Sequence, residues 1–223
     1  MRLIARAAGI VAAAIAAAFP AAAQVPGLPV YNQGVPRGIG VYGDVGFPND
    51  VAGGGTAYGV TGRVGFGAFG VTAILSSYDP DGPAGSAVSA GATGNLRVFG
   101  GPLVPLSVTL QGGVGYAKPD DSLLPTGSGI KEWRFPVGVG FALTIPNPAL
   151  AIKPWIAPRL DILKTTQPAG SATQTNFALS AGIELNLLNG FGVHAAYDRV
   201  FGDGSDPSTF GVGAHFVFRV PGL

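Results

Sequence analysis

Thr209–Arg219 reads TFGVGAHFVFR. Apolar or aromatic residues occupy every second position: Phe210, Val212, Ala214, Phe216 and Phe218. Between them lie Gly211, Gly213, His215, Val217 and Arg219. A period of two is the mark of an extended strand with one apolar face and one small or polar face.

The same alternation recurs upstream, near 38–47, 57–66, 69–78, 89–99, 106–116, 131–145, 150–163, 176–187 and 191–199. Longer polar connections alternate with short turns. The Asn189-Gly190 turn and the Asp79–Pro83 stretch carry the strongest turn chemistry. The pattern predicts an all-β, closed, antiparallel, up-and-down transmembrane β-barrel of about ten strands, with eight as the alternative count. Strands of about ten residues match a tilted crossing of the bilayer. Pro154 and Pro158 fall in one strand, where each removes a ladder donor, so a bulge or a shifted register is expected there.

The chain ahead of the strands reads differently. Arg2 and Arg6 give a basic start, and an alanine-rich apolar run follows from Ala7 to Phe19. Ala21-Ala22-Ala23 supplies small residues for a cut before Gln24. Residues 1–23 are therefore expected to be a secretory signal peptide, the run being shorter than the ~20 residues a spanning helix needs. Residues 24–37 form a Pro- and Gly-containing lead-in without periodicity, 38–219 the barrel, and 220–223 a short tail.

Composition narrows the surface. Charged residues are 11% of the chain, against 37 glycines and no cysteine. A soluble domain commonly carries about 25–35% charged residues on its surface. Without cysteine there is no disulfide framework and no thiolate metal site. A net charge of +1 gives no reason to expect nucleic-acid binding.

Two observations orient the faces. The strand charges Asp44, Arg63, Arg97, Glu132, Arg134, Lys153, Arg159, Asp161, Glu184, Asp198 and Arg219 share the non-apolar face, with Arg199, at the top of its strand and within reach of headgroups, the marginal case. That face is also crowded with Gly, Ala, Ser and Thr, as the inside of a narrow barrel requires. The apolar face is then expected to meet lipid, where a midplane Arg or Lys would cost about 2–4 kcal/mol. A soluble, lipocalin-like barrel is the alternative and would leave a weakly charged, Gly-rich surface in water. Phe47, Tyr58, Tyr116, Trp133, Tyr197 and Phe210 gather towards the long loops, and Phe66, Phe69, Phe191, Phe216 and Phe218 towards the short turns. Such clustering fits two interfacial girdles.

On these residues the chain resembles the small OmpA-like outer-membrane barrels, the superfamily that also holds opacity-type adhesins. Gly213, Phe216 and Phe218 are similar to the C-terminal β-signal read by the barrel-assembly machinery, although Arg219 to Leu223 follow the last aromatic. Eight strands are the norm of that family, so ten would be a departure. The resemblance implies export to the outer membrane and contact with its lipid and lipopolysaccharide. It also implies a structural or surface-interaction role.

The inward charges nearly balance, so a salt-bridged lumen is expected, with a narrow channel for small polar solutes or ions as the alternative. A membrane-embedded hydrolase is the third reading. His194 and Asp198 lie four apart on one inward face with His215 on the next strand, the raw material of a hydrolytic site. Omptin-like proteases are ten-stranded and use aspartates with a histidine, but no nucleophile motif flanks either histidine here. The chain is expected not to be an enzyme and to need no cofactor or metal. The outer loops carry Asp50, Asp79, Asp81, Asp120, Asp121, Asp203 and Asp206 against Lys118, Lys131 and Lys164. An extracellular partner for this acidic surface is an expectation of the sequence.

Overall fold

The computed structural model describes residues 24–36, 38–81, 85–101, 104–119, 129–147, 150–168, 170–187, 189–202 and 206–218. The expected signal peptide, the C-terminal tail, Arg219, Asp120, Asp121 and Asp203 lie outside these residues. Ten long strands run in chain order: β1 Gly38–Pro48, β2 Thr56–Phe66, β3 Phe69–Asp79, β4 Ala87–Gly101 and β5 Val104–Pro119. They continue as β6 Lys131–Leu143, β7 Leu150–Gln167, β8 Gly170–Leu187, β9 Phe191–Phe201 and β10 Ser208–Phe218. Each pairs antiparallel with its neighbours, and a two-residue strand, Ile145–Pro146, extends β6 along β7. The sheet closes where β1 meets β10, from Ile39 opposite Phe218 to Pro48 opposite Thr209. The count of ten holds, and no lateral edge remains open to leave backbone groups unpaired in hydrocarbon.

Exposure follows the sequence alternation. Outward residues such as Val60, Leu75 and Val88 are 61%, 66% and 68% exposed, while inward Arg63, Arg134 and Arg159 are 3–5% exposed. The exposed belt is apolar all round the barrel, as a lipid-facing surface must be. Replacing Leu75, near the middle of β3, with arginine is expected to cost about 2–4 kcal/mol of unfolding free energy in lipid. Urea unfolding in vesicles measures this, and an unchanged midpoint would contradict the outward assignment.

The prolines behave differently from expectation. The β6–β7 register is constant from Lys131 opposite Thr166 to Ala142 opposite Trp155, with no bulge. Its pairs lapse beside Pro158, and again beside Pro154, where the β6 side ends. The β5–β6 ladder lapses in the same way beside Pro136. A missing N–H deletes local bonds without moving the frame, because the neighbouring ladder, β7–β8, pairs through both positions. The register shifts that do occur are in β4–β5, between Arg97 and Gly101 beside a short turn.

The hairpin of β7 and β8 is longer than the alternation predicts. Residues 164–174, expected as a loop, continue the ladder to Gln167 opposite Gly170. This stretch, rich in Thr, Ser and Gln, is mostly exposed on both faces. With water on either side there is no apolar period to read.

Candidate functional site

The interior is the candidate site, and its main occupant is the lead-in. Gln24 to Gly34 are buried apart from the half-buried Tyr31. Val25, Leu28 and Val30 are at most 2% exposed. The segment runs through the lumen against wall glycines. A Cβ on Gly115 would stand 1.8 Å from the Gln24 carbonyl oxygen, one on Gly46 1.9 Å from that of Gly27, and one on Gly65 1.9 Å from that of Pro36. Real Cβ atoms do not approach so closely, so these positions must be glycine for the backbone to fit. Gly46 and Gly115 neighbour the outer-girdle residues Phe47 and Tyr116, while Gly65 neighbours Phe66 at the short-turn girdle. The lead-in thus spans the lumen from near the long-loop end to the short-turn end.

Each stretch of the lead-in has its own holder. Val25 and Leu28 join Ala57, Ile74 and Tyr78 in an apolar cluster. Tyr78 donates its hydroxyl to Ala52 O at 2.8 Å and Gly54 O at 2.9 Å, tying the first outer loop over that cluster. Asn49 starts the loop's short 3-10 turn, Asp50–Ala52, by accepting from Ala52 N at 2.9 Å. Val30 N donates to Asp198 Oδ2 at 2.9 Å, and Gln111 Nε2 to Tyr31 O at 3.1 Å. Arg63 donates to the side chain of Gln33 and, at 3.5 Å, to Gly34 O. Tyr31 packs on Trp155, buried with Ala142, Ala157 and Ala196.

The inward charges divide into separate groups. Arg159 bridges Asp198 at 2.8 Å and Asp161 at 3.6 Å, and Arg134 reaches Asp161 at 3.3 Å. Ser180 joins this cluster, donating to Asp198 at 2.8 Å. Lys153 faces Glu184 across the β7–β8 ladder. Arg97, only half-buried, donates to Gly67 O in the β2–β3 turn at 2.8 Å. Glu132 is 3% exposed, opposite Ala117. Among the described residues these ion pairs join part of the expected charge set, Arg219 lying outside them, and Arg63 donates to the lead-in.

His194 and Asp198 do not pair. His194 instead meets Asp44, Nε2 to Oδ1 at 2.7 Å, and His215, Nδ1 to Nδ1 at 3.2 Å. Thr61 donates to Asp44 at 3.3 Å. Strand twist and closure bring β1 against β9 across β10, a contact the spacing of His194 and Asp198 cannot reveal. The void beside this group holds only about 20 Å³ and is bounded by the lead-in and the β1–β4 wall. A second cavity of about 550 Å³ opens at the short-turn end, lined by Arg63, Arg97, Lys153 and Glu184 and floored by Gly34–Pro36.

At the outer rim, Arg199 donates to Asp206. That hydrogen bond holds the Asp206 carboxyl below the usual carboxylate range. The pairing therefore persists at neutral pH and is lost as pH falls through the lowered value. Asp81 is also used internally, accepting from Gly55 N at 2.8 Å. The girdle residues Tyr58, Trp133, Tyr197 and Phe210 are 40–60% exposed, and Tyr116 packs on Trp133 with ring centroids 4.9 Å apart. Phe216 and Phe218 stand outward at the short-turn end, their rings edge to face at 4.8 Å.

No protein-family model matches the chain, and no curated protein matches it. Among solved structures, the chain is similar to the β domain of the Bordetella autotransporter BrkA at 17% identity and a TM-score of 0.51. That match covers 81% of this chain and 98% of the other. The N-terminal β-barrel domain of Pseudomonas aeruginosa OprF is 13% identical over 81% of this chain and 96% of that one, with a TM-score of 0.40. Ail, the attachment invasion locus protein of Yersinia pestis, is 14% identical over 82% and 100%, with a TM-score of 0.32. With the closed ten-strand sheet and its apolar belt, the likeness to the BrkA β domain makes the fold that of an outer-membrane-type β-barrel.

Proposed function

We infer that this chain is an outer-membrane barrel protein with a structural or surface-interaction role, and that its lumen is closed by its own lead-in. The carrying observation is the passage of Gln24–Pro36 through the lumen on a bed of wall glycines. The short-turn cavity ends against Gly34–Pro36, and the void beyond has room for about one water-sized body, too little for a solute path. On this reading the role is structural rather than catalytic. The Asp44–His194 pair is 1% exposed at each side chain and meets no space in which a substrate would sit.

The apolar belt and its aromatic girdles support residence in lipid, with the long loops outward and the short turns towards the periplasm. We assign Gly213, Phe216 and Phe218 to recognition by the assembly machinery, on their resemblance to the C-terminal β-signal. The outer acidic residues Asp50, Asp79, Asp81 and Asp206 offer a surface to lipopolysaccharide-bound cations or to an extracellular partner. Two of those carboxylates already have internal partners, so any such contact falls mainly to Asp50 and Asp79.

The test is gel mobility of the outer-membrane fraction, with and without boiling. A closed barrel is expected to stay folded in detergent and to migrate differently once boiled. Recovery in the soluble periplasmic fraction with no shift would refute the lipid-facing assignment.

A further inference from the structure

The chain has two histidines, and the fold places them in one line of hydrogen bonds. Asp44 Oδ1 meets His194 Nε2 at 2.7 Å, and His194 Nδ1 meets His215 Nδ1 at 3.2 Å. His215 Nε2 meets Asn186 Oδ1 at 2.9 Å, and Asn186 Nδ2 donates to Glu184 Oε1 at 2.7 Å. Asp44, His194, His215 and Glu184 are 3–6% exposed.

Each of these contacts needs one proton, and the protons can be counted. A carboxylate only accepts, so Asn186 must give an amide proton to Glu184. Its oxygen then accepts, and His215 Nε2 must carry a proton. Asp44 requires a proton on His194 Nε2 in the same way. The Nδ1-to-Nδ1 contact needs a third, whereas two neutral imidazoles supply only two.

Turning the Asn186 amide over does not change the total. Its oxygen would then face Glu184, which must be the acid, and its nitrogen would donate to His215. The arrangements differ by one N–H bond broken at His215 Nε2 and one O–H bond formed on Glu184. Either way the line holds one proton more than two neutral imidazoles and two carboxylates.

We propose that Asp44, His194, His215, Asn186 and Glu184 form a proton-binding site that retains one shared proton at neutral pH. The surroundings suit a net charge of −1 on the line. Lys153 faces Glu184 across the β7–β8 ladder. Arg63 lies over Tyr42, 5.1 Å from its ring centroid, and Tyr42 stacks on His215 at 4.7 Å. Tyr31 of the lead-in meets His194 edge-on at 5.3 Å, and Asp198 further along β9 is neutralised by Arg159. Glu184 and Asn186 line the short-turn cavity, which gives the proton its way in and out. Losing the proton sets two lone pairs against each other at the Nδ1 contact, and gaining a second sets two imidazolium rings together. Both changes act directly beneath Tyr31.

The experiment is nitrogen NMR of the full-length processed barrel in detergent micelles, labelled at histidine and at the Asp and Glu carboxyl carbons. With two histidines, all four ring-nitrogen signals belong to this site. At neutral pH the expected count is three protonated ring nitrogens, or two together with Glu184 or Asp44 in its acid form, and a scalar coupling between the two Nδ1 atoms. Two protonated nitrogens with Glu184 and Asp44 both ionised, or four, would overturn the proposal. In Asn186→Leu the extra proton is expected to be lost at neutral pH, and its retention would also overturn the proposal. Should that variant not fold, the wild-type count decides alone.

Discussion

Deleting residues 24–36 is expected to turn a silent barrel into a conducting one. The wall does not depend on the lead-in for closure, since β1 pairs with β2 from Gly38 to Gly46 and with β10 from Ile39 to Pro48. What the deletion removes is the backbone seated on Gly46, Gly65 and Gly115 and the cluster of Val25 and Leu28. The short-turn cavity of about 550 Å³ then joins the void above it, and the exposed path is lined by Asp44, Arg63 and Thr93. In planar bilayers the full chain is expected to show no discrete steps, and the deletion variant regular ones. Gly46→Val should fall between, with flickering openings, because its Cβ would displace the Gly27 carbonyl. Gly62→Val is the control, as a Cβ there meets nothing within 4 Å. Equal conductance from the full chain and the deletion variant would contradict a closed lumen.

Arg159→Met is expected to be the most destabilising single change among the inward charges. Arg159 is the shared cation of Asp161 and Asp198, at 3.6 and 2.8 Å, and all three are nearly inaccessible. Removing one partner of a buried ion pair costs about 3–5 kcal/mol, because an uncompensated charge stays behind. Asp161 keeps Arg134, so the stranded charge is chiefly Asp198, left with Ser180 and Val30 as donors. Adding Asp198→Asn is expected to return most of the loss, since replacing both partners is often near neutral. Urea unfolding of the single and double variants measures this. A double variant no more stable than the single would mean that the cost lies in packing and not in the stranded charge.

The strands were legible because each carries two agreeing signals. In β10, apolar residues alternate with small ones, and the same parity holds charge off the apolar face in β2, β6 and β7. A one-residue slip would put Arg63 or Arg159 into lipid, so parity fixes the register. The lead-in was not legible for the opposite reason. Pro26, Pro29 and Pro36 break any period, and its closest approaches to the wall are backbone carbonyls against glycines. The signal that could have found it is the inward glycines Gly46, Gly65, Gly115 and Gly140. They read as a consequence of a narrow barrel, yet they leave room for one more chain.

The site residues were legible as a set and not as pairs. Asp44, Arg63, Glu132, Arg134, Arg159, Asp161, Glu184 and Asp198 are buried inward as their parity demands, Arg97 and Lys153 are half-buried, and Arg199, on the parity of outward Tyr197, lies at the outer rim. Which carboxylate meets which cation depends on closure, which sets Asp44 of β1 beside His194 of β9. The sequence offers His194 and Asp198 four residues apart, and neighbouring strands take each elsewhere. Trp155 is a further case. It faces inward between two prolines, and its cluster with Ala142, Ala157 and Ala196 is completed by Tyr31, whose place the sequence does not show.

The most direct test of the account is a disulfide between the lead-in and the wall. The native chain has no cysteine, so an engineered pair is unambiguous. A Cβ at position 140 stands 2.6 Å from Asn32 Cγ, within the reach of a disulfide once both side chains are cysteine. The account predicts that Asn32→Cys with Gly140→Cys oxidises in the folded barrel, and that Asn32→Cys with Val139→Cys, on the opposite face, does not. Free thiols in the first pair, or a bond in the second, would mean that the lead-in does not lie in the lumen.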